Sequence, residues 1–215
     1  PKIVITALGS PERVIETVHA YGGMVIADVN NINFARRCAD MDVDGMALIC
    51  HGAGGHTGHL SPFSFTAYVR EFFDGLIVLA GSISTGNHIR AAKLLGADLS
   101  YMGTRFITAQ ESNAVNEYKS MIINSTYDDL RMTNLFTGAD AYYLKESIIN
   151  NNLDPDNLDS NTDGFNVSAS QDKIKAWKDI WSAGQGVGLI KNIESVESIV
   201  DKLESEFVQG AGHGN

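Results

Sequence analysis

Short apolar runs recur along the first half of this chain, and a segment with helical spacing follows each one. The runs are Lys2 to Leu8, Met24 to Val29, Gly45 to Ile49, Leu76 to Ala80 and Leu99 to Met102. They are continuous rather than alternating. A strand that is apolar on both faces belongs in a parallel sheet covered by helices.

The intervening segments carry helix signals. Ser10 and Pro11 open a helix with Val14, Ile15, Val18 and Tyr21 on one side, and Gly22-Gly23 ends it. Asn30 or Asn31 caps a helix bearing Phe34, Ala35, Cys38 and Met41. Ser61-Pro62 starts one with Phe65, Val69, Phe72 and Phe73. Another runs from about Thr85 through Ile89, Ala92 and Leu95 to Gly96. Strand starts recur roughly every 20 to 30 residues, as βα units do. The predicted fold is α/β of the (β/α)8 TIM-barrel type, with about the last five βα units in residues 1–108. A complete barrel takes about 250 residues, so its front would be missing. A doubly wound sheet is the rival, but no dinucleotide-type glycine turn follows the first strand.

Residues 109–215 read as a helical C-terminal region of the same incomplete barrel domain. A helix is predicted from Asn113 to Ile123, with Ala114, Val115, Tyr118 and Ile122 on one side. Residues 150–166 are rich in Asn and Asp and predict a surface loop. Lys173 to Trp181 spaces Ile174, Trp177 and Trp181 as a helix does, and a last helix spans Ser195 to Phe207. The tail from Gln209 is expected to fray.

Bulk properties narrow the partners. A net charge of −10 argues against nucleic acid and against a polybasic membrane surface. No apolar stretch approaches the ~18 residues a membrane span needs. The N-terminus lacks the apolar core of a signal peptide. Cys38 and Cys50 do not make a disulfide framework, so a reducing cytoplasm is the expected location. The chain starts at Pro1 almost directly in a strand, which reads as a cut end.

Chemistry concentrates after the third strand, in Cys50-His51-Gly52-Ala53-Gly54-Gly55-His56-Thr57-Gly58. Glycines admit close approach of a ligand to backbone, and a histidine there can move protons near neutral pH. His56 is the catalytic candidate; the alternative is a histidine bonded to a loop carbonyl. No metal is expected, because no carboxylate lies between Cys50 and Pro62 to join His51, His56 and His59. Cys50 reads as a small packed residue. Ala80-Gly81-Ser82 and Met102-Gly103-Thr104 end the next two strands, where such barrels hold a phosphate on main-chain N–H groups. Tight turns with no further role are the alternative. Gly184-Gln185-Gly186-Val187-Gly188 imitates a dinucleotide fingerprint, but a predicted helix precedes it instead of a strand. Its Gln185 amide could still contact a polar ligand edge. Arg105 and Glu111 read as an ordinary ion pair or as solvated charges.

Several segments, in order, resemble the nitronate monooxygenase (2-nitropropane dioxygenase-like) family of FMN-dependent barrel enzymes. They are Ala53-Gly54-Gly55-His56-Thr57-Gly58, Val78-Leu79-Ala80-Gly81-Ser82-Ile83, Leu95-Gly96-Ala97-Asp98 and Met102-Gly103-Thr104-Arg105-Phe106. Glu111-Ser112, Phe136-Thr137-Gly138 and Ala183-Gly184-Gln185-Gly186 follow. The resemblance aligns this chain with the fourth strand of the barrel onward. It implies that His56 is the active-site histidine. It implies FMN contacts at Gly54, Gly55, Ala80, Gly81, Ser82, Met102, Gly103, Thr104 and Gln185. Many members read Gln-Gly-x-Glu-Ala-Gly-Gly-His in this loop. Here the Gln and Glu are absent, and His51 stands roughly where the flavin-contacting Gln would be.

The implied reaction is FMN-dependent oxidation of a small anionic nitronate by O2, giving a carbonyl compound and nitrite. The alternative is an NAD(P)H-dependent flavin reductase of the enoyl-acyl carrier protein reductase or quinone reductase type. A third possibility is a non-enzymatic remnant that pairs with a partner chain. The resemblance also admits a homodimer. With the first three strands absent, the lone chain is expected to hold FMN weakly.

Overall fold

Val25, Ala27 and Val29 alternate with Ile26 along one strand, and all four are buried. Both faces of that strand therefore need cover, which a helix-backed parallel sheet provides. The computed structural model describes residues 1–158 and 176–210. In chain order the strands are β1 (Ile3–Thr6), β2 (Met24–Val29), β3 (Gly45–Ile49), β4 (Gly55–His56), β5 (Leu76–Ala80), β6 (Leu99–Tyr101), β7 (Leu130–Thr133) and β8 (Ala141–Leu144). The helices are α1 (Glu12–Ala20), α2 (Ile32–Asp40), α3 (Pro62–Arg70), α4 (Gly86–Leu94), α5 (Thr104–Ile107), α6 (Asn116–Asn124), α7 (Lys145–Ile149) and α8 (Val196–Gln209).

Two compact units form. The first comprises Pro1–His51, Gly58–Met102 and Leu203–Asn215; the second comprises Gly52–Thr57 and Gly103–Lys202. The first unit holds one parallel sheet in the order β1-β2-β3-β5-β6. Successive strands of the unit are neighbours in space, without the reversal that defines a doubly wound sheet. On one sheet face, Val25, Met46, Leu48, Ile77 and Leu79 pack with Val18, Ala35, Phe65, Val69 and Ala92 of the helices. On the other, Ile26, Ala47 and Val78 pack with Ile49 and Leu76. In-order parallel strands with helices on one face are how βα units build a (β/α)8 barrel.

The helix starts follow local chemistry. Asn31 accepts a hydrogen bond from Phe34 N at 2.8 Å, and Thr85 accepts one from His88 N at 3.3 Å. Ser61 accepts from Phe63 N at 3.4 Å, with Pro62 following as the first helical residue. One strand-entry device appears twice. Asp44 and Asp98, each just before a strand, accept the main-chain N–H of Val25 and Ile77 at 2.7 and 2.8 Å. Burial opposes both carboxylates, yet these N–H groups and the adjacent His19 or Arg70 side chain hold them below the usual carboxylate range.

Three expectations change. The edge strands are not fully buried: Ile3, Ile5, Leu99 and Tyr101 lie about half exposed, because β1 and β6 each have a sheet neighbour on one side only. Residues 109–215 are not simply helical. The second unit holds an antiparallel sheet in the order β4-β8-β7. Tyr142 and Leu144 on one face join a core with Met121, Ile122, Val187 and Ile190, while Ala141 and Tyr143 join another with Ile148 and Ile180. The amphipathic spacing at Trp177 and Trp181 does not make a helix in its described part. Ala176 bridges Ile180 across a turn, and Ile174 lies outside the described residues. Residues 150–158 of the Asn/Asp-rich segment form turns, and 159–166 lie outside the described residues.

Candidate active site

The second unit fixes His56 by short-range geometry. Gly55 adopts φ +73°, a conformation that strains any side chain, and lets the loop turn into β4. There β4 pairs with β8, placing Gly55 opposite Tyr142 and His56 opposite Ala141. The half-buried imidazole has Nε2 at 3.0 Å from Thr137 Oγ1. Thr137 in turn donates its hydroxyl proton to the Ala139 carbonyl at 3.1 Å. The Trp177 ring meets the imidazole edge-on, with centroids 5.3 Å apart and planes at 86°. Tyr143 stacks on Trp177 at 5.4 Å. Trp177 has φ +72°, a strained conformation for so bulky a residue, and such strain gathers at functional sites.

Gly54, Thr104 and Gln185 come together in the same unit. A side chain at Gly54 would begin 2.6 Å from Gly184 N and 2.8 Å from Thr104 Oγ1. Thr104 Oγ1 accepts the Gly184 N–H at 2.9 Å, and Gln185 N donates to Gly52 O at 3.0 Å. The Gln185 side-chain amide donates to the Tyr142 hydroxyl at 2.7 Å. The segment Gln185–Leu189 is a 3₁₀ turn, not the strand-to-helix turn of a dinucleotide site.

In the first unit, β5 ends at buried Ala80, whose carbonyl accepts Cys50 N at 2.9 Å. Gly81 and Ser82 follow with φ +129° and +57°. A Cβ at Gly81 would lie 3.0 Å from both Cys50 Cβ and His51 O, so the chain can turn back here only as glycine. His51 is tied to the loop by its N–H to Leu60 O at 2.8 Å. Half-buried Met102 ends this stretch, and Gly103 opens the next unit as the residue before α5. Nothing lies within 4 Å of the position a Gly103 side chain would take. Among the described residues, the main-chain N–H groups of Gly81, Ser82, Gly103 and Thr104 donate no hydrogen bond to protein. Unclaimed amides on glycine turns are the donor set a phosphate takes. Each turn by itself therefore has the donor chemistry that a phosphate-bearing cofactor such as FMN requires.

Asp28 was not anticipated from the sequence. It interrupts the apolar run of β2, and its Oδ1 is buried with no hydrogen-bond partner among the described residues. Burial pushes its carboxyl up to about 6. An acidic residue inside an otherwise apolar strand was the available signal. Cys50 is fully buried, and burial pushes its thiol up to about 12, so it packs and does not attack. Arg105 pairs with Glu194, not with Glu111, and both partners are largely buried. Glu111 instead accepts the N–H of Val196 at the start of α8, at 3.0 Å from each carboxylate oxygen. No three His, Cys, Asp or Glu side chains converge on a metal-binding arrangement among the described residues, and no helix there is long and apolar enough to cross a membrane.

The chain superposes on solved α/β barrel structures. A single-residue variant of FabK from Thermotoga maritima matches with a TM-score of 0.79 and 25% identity, over 97% of this chain and 67% of that one. A nitroalkane oxidase from Streptomyces ansochromogenes matches in fold with a TM-score of 0.74 and 20% identity, over 97% of this chain and 65% of that one. In-order βα units ending in glycine turns thus define an α/β protein of the (β/α)8 class. The family model for nitronate monooxygenase matches residues 1–206, and the chain belongs to that family. A protein named "Probable nitronate monooxygenase" from Staphylococcus saprophyticus is 30% identical over 89% of this chain and 60% of its own length. The chain's matches span 42% to 62% of the length of the curated relatives.

Proposed function

We propose that this chain serves the FMN-dependent oxidation of alkyl nitronates by O2, giving a carbonyl compound and nitrite, with His56 as its acid–base group. The observation that carries this reading is the imidazole itself, held on β4 by Thr137 and covered by Trp177. FMN, when bound, supplies the electron-accepting chemistry that no side chain offers. Within the second unit, Gly103 and Thr104 have main-chain N–H groups suited to its phosphate; the turn at Gly81 and Ser82 in the first unit has, taken by itself, the same kind of free donors among the described residues. Of the other expected cofactor contacts, Ala80 and Met102 belong to the first unit, and Gly54, Gly55 and Gln185 to the second. In its neutral form His56 takes the α-proton of a nitroalkane: the C–H bond breaks, its electron pair stays on the nitronate, and the proton goes to the imidazole. In its protonated form it holds the nitronate anion.

The test supplies the FMN-loaded chain with propionate 3-nitronate and O2, and in parallel with NADH and a quinone. Nitrite release with the nitronate supports the reading. Turnover only of NADH and quinone replaces it with a flavin reductase. The His56→Asn variant should lower turnover of a neutral nitroalkane by ~10²–10⁴-fold. Unchanged turnover of both nitroalkane and nitronate would make His56 structural.

A further inference from the structure

The hydroxyl of Thr137 has one proton to give, and it gives it to the Ala139 carbonyl, which can only accept. Toward His56 the same oxygen is left with lone pairs alone. At 3.0 Å from Thr137 Oγ1, Nε2 must therefore be the nitrogen that carries hydrogen. A neutral imidazole with Nε2–H has its lone pair on Nδ1. Among the described residues Nδ1 makes no hydrogen bond. We propose that Thr137 is a positioning residue that locks His56 in the Nε2–H tautomer and makes Nδ1 the nitrogen that accepts the substrate proton.

Two neighbours support this assignment. The Tyr143 hydroxyl is buried next to the Thr137 side chain, with no hydrogen bond of acceptable geometry among the described residues. Were it to turn toward Thr137, it would donate to the same oxygen and leave that oxygen an acceptor for His56. Burial also raises the Tyr143 phenol, so it stays protonated and cannot compete as the base. Trp177 braces the imidazole from the side at 5.3 Å. Thr137 thus sets which nitrogen is basic, and Trp177 limits ring rotation. The same hydrogen bond survives protonation, because imidazolium keeps Nε2–H.

The functional half of this inference rests on His56 being the base; the tautomer does not. The experiment records ¹⁵N imidazole spectra of the full chain without flavin, using His56→Asn to assign the signal. The expected result is an Nε2–H tautomer for His56 in the native chain and in Thr137→Ser, and a mixture of tautomers in Thr137→Val. An Nδ1–H tautomer in the native chain, or an unchanged tautomer in Thr137→Val, overturns the proposal. With FMN bound, Thr137→Val should lower kcat for a neutral nitroalkane about fivefold, as loss of one hydrogen bond does, with KM unchanged. Thr137→Ser should restore it, and turnover of a preformed nitronate should fall less. Equal losses on both substrates would make Thr137 merely structural. If His56→Asn is inactive while the tautomer ignores Thr137→Val, this proposal alone falls. If His56→Asn turns over nitroalkane normally, the base assignment falls even where the tautomer is as stated.

Discussion

Gly184 N lies 2.6 Å from where a side chain at Gly54 would begin, and Gly52 O lies 2.8 Å from where one at Gly184 would begin. The two loops therefore meet backbone to backbone, and each glycine is required by the other. A methyl group at Gly54 would press on main-chain atoms, which cannot rotate away as a flexible side chain can. Gly54→Ala should destabilise the chain by about 1–3 kcal/mol, the usual range for an overpacked site. Urea denaturation measures this as a lower midpoint at constant slope. An unshifted midpoint would mean that the loops separate readily.

Asp28 makes stability depend on pH in an unusual direction. Its carboxyl titrates near 6 in the folded chain, against a reference of 3.8, because burial disfavours the charge. Between those values the folded state binds more protons than the unfolded one. Stability therefore falls as pH rises from about 4 towards 6 and above, and the penalty is complete at neutral pH. Asp28→Asn removes the penalty. A two-unit shift corresponds to about 3 kcal/mol at most, and partial exposure reduces that to about 1–2 kcal/mol. The variant should be more stable than the native chain at pH 7.5 and equal to it near pH 4. Parallel pH–stability curves would contradict this.

The thiol of Cys50 should resist modification. Its side chain is fully buried, Sγ contacts Leu48 O at 3.6 Å, and burial pushes the thiol up to about 12. Reaction requires the thiolate and access, and both are denied. Buried Cys38 shares the same fate. A thiol reagent at pH 8 should label neither residue in the native chain and both in denaturant. Rapid native labelling of Cys50 would show that its loop opens.

The elements whose causes are local were readable in the sequence. Met24 to Val29 is apolar but for Asp28, Leu76 to Ala80 is apolar throughout, and Asn31, Ser61 and Thr85 are capping residues acting on the next turn. The second unit was less readable because its strands are made by distant partners. Ala141 to Leu144 is buried through pairing with β4 and β7 and through two cores that draw on residues far along the chain. Trp177 and Trp181 have helical spacing, yet the backbone at Trp177 turns left-handed. Periodicity counts residues and cannot sense φ. The glycines announced His56, but its hydrogen-bond partner Thr137 stands 81 residues away, a separation no spacing rule spans. Asp28 is hard to read from sequence because an otherwise apolar run hides one polar member.

Among the described residues, the Arg105–Glu194 pair should be the most damaging single ion pair to break. The Arg105 side chain is 7% exposed and that of Glu194 22%. A second hydrogen bond, from Arg105 Nη1 to Thr108 Oγ1 at 3.4 Å, is too long to replace the carboxylate. Glu194→Ala would strand a guanidinium in a site closed to water, where loss of one partner costs about 3–5 kcal/mol. Arg105→Met with Glu194→Leu removes both charges and refills the volume, so the double variant should be more stable than Glu194→Ala alone. The neighbouring backbone link, Gln110 N to Glu194 O at 2.9 Å, survives both changes and keeps the segment in place. Thermal unfolding of the native chain, the single variant and the double variant measures the order. A double variant no more stable than Glu194→Ala would mean that packing around the pair, rather than the stranded charge, governs the loss.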